Sequence, residues 1–188
     1  MDTLLFAFVA AALAGMGDQT QSLAATLSAR GGRPGHVLAG LAIAAAAVAA
    51  LAWFAGSVLQ EMIDVRRQTL LVALALAFAG VTGLMKAPAS PRAERFRWGA
   101  FLCAMLFGGY AASSGRIQFM TVAFAARADI PALAAIGGAL GLLAAATPAA
   151  LLGDKFLQLN LRGARIAVAV AFVIAAALVF LNAPPQSA

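Results

Sequence analysis

One carboxylate, Asp18, stands well inside a long apolar run, in the stretch Gly15-Met16-Gly17-Asp18-Gln19-Thr20-Gln21-Ser22. A second polar stretch interrupts a later run: Tyr110-Ala111-Ala112-Ser113-Ser114-Gly115-Arg116-Ile117-Gln118, followed by Thr121. Polar and ionisable groups at such places are costly in an apolar medium and mark pathways for ions or solutes. Glycines such as Gly15, Gly17 and Gly115 let a helix loosen and neighbouring backbones approach. Carbonyls freed by a loosened helix, with side-chain oxygens from Thr20, Gln21, Ser113, Ser114, Gln118 and Thr121, can surround a hard cation. Asp18 could then hold a cation, a proton, or each in turn, and it is the one candidate metal-ligating carboxylate there. Arg116 is the matching intramembrane base, and an Asp18–Arg116 ion pair would neutralise both. The simpler reading gives Thr20, Gln21 and Gln118 interhelical hydrogen bonds alone.

The elements that must position these residues follow from composition. The apolar share is 63%, with 11% charged residues and a mean hydropathy of +0.93. A water-soluble chain of 188 residues needs a polar skin that this one cannot make. Its apolar runs are continuous rather than alternating, which excludes a lipid-facing β-barrel and predicts helices. Six spans are expected: Leu4–Ala29, His36–Leu59, Thr69–Met85, Gly99–Ala126, Pro131–Gly153 and Ala164–Leu181. The first and fourth carry the polar stretches and are expected to be kinked or broken. The net charge of +6 does not point to nucleic acid, because the basic residues sit in short connections between spans. Residues 1–29 do not read as a cleaved signal peptide, since no Lys or Arg precedes the apolar run. The single cysteine, Cys103, excludes an internal disulfide and a thiolate metal cluster. His36, Trp53 and Trp98 read as interfacial residues, and Pro148 predicts a kink in the fifth span. No nucleotide-binding loop, zinc-protease motif or nucleophile elbow is present, so no enzyme is expected.

The connections alternate in charge. Arg30, Arg33, Lys86, Arg92, Arg95, Arg97, Lys155, Arg162 and Arg165 fall on one side; Arg66, Arg67 and Arg127 fall on the other. The positive-inside rule places both termini outside the cytoplasm, in a membrane read as a bacterial inner membrane.

A constant offset of 97 residues relates the two halves. It brings Gln21 onto Gln118, Arg30 onto Arg127, Pro34 onto Pro131, Gly40 onto Gly137 and Gly56 onto Gly153. Each unit holds three spans, an odd number, so the second would lie inverted relative to the first. The expected fold is therefore an all-α integral membrane protein of six transmembrane helices in two inverted three-helix repeats, residues 1–85 and 99–188, joined by a basic cytoplasmic linker, 86–98. This is the plan of secondary transporters, whose site lies at the repeat interface.

At Gly17-Asp18-Gln19-Thr20-Gln21 the chain resembles the Gdt-type, transmembrane-protein-165-like cation–proton exchangers of the lysine-exporter-like superfamily. Members carry E-x-G-D-[KR]-[ST] once per three-helix repeat, usually followed by Gln. The resemblance implies a membrane antiporter whose cargo is Mn2+ or Ca2+ exchanged for protons, with no resident cofactor. Here Gly17, Asp18 and Thr20 fit the first motif, while Gly15 stands at its Glu position and Gln19 at its basic one. In the second copy Arg116 and Gln118 fit, and Ala112, Ser114, Gly115 and Ile117 depart. One carboxylate facing an arginine offers a divalent cation little to offset its dehydration. Two alternatives therefore stand beside a cation exchanger: a transporter of a small organic or anionic solute using Arg116, and a non-transporting subunit or scaffold. The latter would draw the missing carboxylates from a partner chain, as a hetero-oligomer; a homo-oligomer is equally open.

Overall fold

The computed structural model describes residues 2–30, 33–85, 99–113 and 115–184. The expected linker 86–98, with Trp98, and the candidate Ser114 lie outside these residues. The described chain is helical, with no strand: α1 (Asp2–Ala14), α2 (Gln19–Ala29), α3 (Pro34–Met62), α4 (Val65–Leu84), α5 (Ala100–Ser113), α6 (Arg116–Arg127), α7 (Pro131–Leu152), the single turn α8 (Asp154–Leu157) and α9 (Arg162–Leu181). Among these residues, α3, α4, α7 and α9 are each long and apolar enough to cross a membrane. The pair α1 and α2 passes the same test only when taken together, with a bend of 66° at the break between Ala14 and Gln19; counted as one span it brings the candidates from four to five. The stretch expected as the fourth span divides into α5, of 14 residues, and α6, of 12. α6 carries Arg116, Gln118, Thr121 and Arg127, which dilute its apolar character.

Local sequence sets the helix ends. Pro34 and Pro131 open α3 and α7 at their first turns, where a missing N–H costs nothing. Gln68, buried at the start of α4, donates to the carbonyls of Gln60 and Ile63 at 3.2 and 3.0 Å. It thereby satisfies carbonyls that the end of α3 leaves free. α7 continues through Pro148 and stops at Gly153, whose φ of +50° favours glycine.

The interior is built of alanine, glycine and a few larger side chains such as Leu23, Leu41, Met120 and Phe172. Lipid gives helices no hydrophobic reason to associate, so close backbone approach and dispersion must hold them. Phe6, Phe54, Leu74 and Leu181 lie on the outside, where a water-soluble protein would carry polar groups.

Helix α1 packs on α7 and α3 on α5; α4 packs on α9 and α3 on α7. The 97-residue offset carries the first pair onto the second and each of the others onto itself. The correspondence reaches single atoms. A Cβ on Gly40 would fall 2.4 Å from the Phe101 carbonyl and 3.0 Å from Ala104 Cβ. A Cβ on Gly137 would fall 2.4 Å from the Leu4 carbonyl and 3.1 Å from Ala7 Cβ. Positions 4 and 7 are 97 residues before 101 and 104.

Candidate functional site

The break in the first span frees backbone groups that must find partners inside the protein. In a continuous helix the Asp18 N–H would bond to the Ala14 carbonyl; here it turns to the Gly15 carbonyl at 3.1 Å. Met16 N–H similarly tightens onto Leu13 at 3.1 Å. Gly17 adopts φ +71°, a left-handed conformation that side chains resist.

Two side chains close the accounts. Arg116, the first residue of α6, donates from Nε to the Ala14 carbonyl at 2.8 Å and from Nη2 to the Met16 carbonyl at 3.2 Å. Its Nη1 lies against Gly83 of α4, where a Cβ would sit 3.1 Å away. Gln21 accepts from Gly17 N–H at 2.8 Å and donates to the Ala145 carbonyl of α7 at 2.7 Å. Both ends of the buried Gln21 amide are thus engaged. Gly15 gives the room for this approach: a Cβ there would fall 2.5 Å from Ala145 Cβ.

Asp18 stands at the N-cap position of α2. Its Oδ2 accepts from the buried Thr20 hydroxyl at 3.3 Å. The direct ion pair expected between Asp18 and Arg116 is not made. Within Coulombic reach of the carboxylate, the guanidinium turns instead to the negative, carbonyl end of α1.

A cavity of about 720 Å³ reaches Asp18. Gly17, Gln21 and Ser22 line it from the break and α2; Phe156 and Leu161 from the α8 region; Arg162 and Arg165 from the start of α9. Arg165 Nε is buried without a hydrogen-bond partner. Among the described residues, no three His, Cys, Asp or Glu side chains converge as metal ligands. The cavity wall therefore carries one carboxylate against two guanidinium groups. In the sequence, Arg162 and Arg165 read as basic residues of a connection between spans. Their spacing of three at the start of a helix, which puts them on one face, is the signal for their joint presence here.

The equivalent place in the second half is closed. Gln118 donates to the Val48 carbonyl at 3.3 Å, the bond that the 97-residue offset maps onto that of Gln21 with Ala145. Thr121 is buried and donates to the Ile117 carbonyl of its own helix at 2.8 Å. Both residues border a void of only about 10 Å³. Ser113 is exposed and donates to the Tyr110 carbonyl at 3.0 Å, away from the cavity. Gly115 caps the start of α6 with φ −92°. Phe119 stands where the offset places Ser22, and its ring meets Phe78 of α4 edge-on, with centroids 5.7 Å apart. α4 packs on α6, whereas α9 makes no comparable packing on α2. The structure thus brings Asp18, Thr20, Gln21 and Arg116 together, and sets Gln118 and Thr121 apart in the closed half.

The model of one protein family, described as the divalent cation/proton antiporter GDT1, matches residues 3–91. That segment contains the first break and Asp18. No curated protein and no solved structure matches the chain.

Proposed function

Because the match over residues 3–91 supports assignment to the GDT1 family of divalent cation/proton antiporters, a family of transporters rather than enzymes, we propose that this membrane protein is a secondary cation–proton exchanger with Asp18 as the exchanged group. The observation that carries the reading is the cavity of about 720 Å³ that ends on Asp18 at the broken first span. Broken helices at an intramembrane carboxylate are where transporters of this plan bind ions.

The architecture proposed is two inverted three-helix repeats, residues 1–85 and 99–188, joined by residues 86–98. The matched pairs Gln21–Ala145 and Gln118–Val48 support it, as do the matched glycine approaches at Gly40 and Gly137. The cavity is bordered by the connection bearing Arg162 and Arg165. By the positive-inside rule that connection faces the cytoplasm, with both termini on the other side of what we read as a bacterial inner membrane. The protein is then captured open to the cytoplasm, with the second half shut. Rocking of α9 onto α2 and α4 away from α6 would exchange the two states.

Proteoliposomes holding a pH dye test this. A gradient of at least one cation among Mn2+, Ca2+, Na+ and K+ should drive proton movement that Asp18→Asn abolishes. Flux of every cation and proton unchanged in that variant would overturn the reading.

A second reading keeps the transporter and changes the cargo to a small organic or anionic solute. The two arginines facing one carboxylate in the cavity favour it. Arg165 would then be the counter-charge, since Arg116 is engaged with α1. Saturable binding of a carboxylate or phosphate compound that Arg165→Gln removes and Asp18→Asn spares would favour this reading.

A further inference from the structure

We propose that Arg116 is a tethered cation that holds the place of a cargo ion at the break and restricts Asp18 to singly charged cargo, a proton or a monovalent cation. The proposal rests on Asp18 being the exchanged group.

Three observations carry it. The Ala14 and Met16 carbonyls, released where α1 ends, are the oxygens a hard cation beside Asp18 would use, and the Arg116 guanidinium occupies both. Gly83 leaves room for Arg116 Nη1 against α4, so the guanidinium is seated rather than reaching outward to the membrane surface. The 97-residue offset places Gln19 opposite Arg116 and Gly115 opposite Asp18. One half therefore supplies the carboxylate and the other the guanidinium, and neither charge is duplicated.

The charge balance then limits the cargo. With Asp18 ionised and Arg116 seated, the pair is neutral. A proton or monovalent cation on Asp18 leaves one positive charge. A divalent cation would leave two to be carried through the membrane interior, and among the described residues that line the cavity Asp18 is the one carboxylate to offset them. Removing the guanidinium charge frees two carbonyls at the break and leaves Asp18 facing only Arg162 and Arg165 of the cavity wall.

Equilibrium binding of Mn2+ to the purified full chain, read by electron paramagnetic resonance, tests this. The native protein and Arg116→Lys should bind Mn2+ weakly. Arg116→Gln should bind at least tenfold more tightly, and the gain should vanish in Arg116→Gln combined with Asp18→Asn. No gain in Arg116→Gln overturns the proposal, as does a gain that survives loss of Asp18. Should Arg116→Gln fail to assemble, Arg116→His at pH 8 supplies a neutral donor to the same carbonyl and must show the gain. If neither neutral variant assembles while Arg116→Lys does, the residue is a structural clasp and the proposal falls. Failure of the exchanger reading is seen separately, as proton flux indifferent to Asp18→Asn in the native background.

Discussion

Gln21 donates to the Ala145 carbonyl at 2.7 Å, and this bond fixes the broken first span to α7. Its amide oxygen takes the Gly17 N–H at the same time, so one side chain serves both the break and its neighbour. The 97-residue counterpart, Gln118 to Val48, is longer at 3.3 Å.

Replacing Gln21 by Leu strands the Gly17 N–H and removes the bond to the Ala145 carbonyl. The expected loss is about 2–3 kcal/mol, one unsatisfied donor plus one lost hydrogen bond. Gln118→Leu, which removes one longer bond, should lose less than about 1.5 kcal/mol. Thermal unfolding of the purified variants in one detergent checks the order. Equal losses would mean that the Gly17 bond adds nothing.

Gly40→Ala and Gly137→Ala each drive a Cβ to 2.4 Å from a backbone carbonyl, of Phe101 and Leu4 respectively. Backbone cannot step aside as a flexible side chain can, so each should cost about 1–3 kcal/mol by overpacking. The two losses should match within experimental spread. Gly35→Ala meets nothing within 4 Å and should unfold as the native protein does.

Gly17→Ala tests the left-handed turn. The strain of a side chain at φ +71° should cost about 1–2 kcal/mol. The new Cβ would also press on Arg165 Cδ at 3.2 Å, so the variant should lose stability and disturb the cavity together. A native unfolding temperature would mean that the break has relaxed to another conformation.

Single-cysteine labelling tests the difference between the halves. Ser22→Cys lines the cavity and should react with a membrane-impermeant maleimide from the side bearing Arg162 and Arg165. Thr121→Cys, buried in the closed half, should react at least tenfold more slowly from either side. Cys103 is 1% exposed and should give little background. Fast labelling of Thr121→Cys would show that the second half opens readily.

The helices were legible because apolar length and Pro–Gly punctuation are local signals. Gly15, Gly17 and Asp18 marked the first break in the same way, and Pro34 and Pro131 marked two helix starts. The partner of Arg116 was not legible. Opposite charges suggested Asp18, but a broken helix releases carbonyls whose need for a donor appears only once the break has a shape. Arg165 was hidden for a related reason. A basic residue in a connection is explained by topology, and only the packing of α9 brings it to the cavity that reaches Asp18. The closed half depended on Phe119 meeting Phe78, a contact between residues 41 positions apart.

That aromatic contact has a kinetic consequence. A transporter with interchangeable halves would rest equally in either orientation. Under the proposed exchange of the two halves, one orientation must first part the Phe78 and Phe119 rings, an edge-to-face contact worth about 0.5–1.5 kcal/mol beyond the area it buries. Ser22 offers no such contact in the other half. The imbalance corresponds to roughly a two- to tenfold excess of the waiting state with the first half open. Re-orientation would then be slow in one direction and quick in the other, so a cycle running either way would linger at the same station.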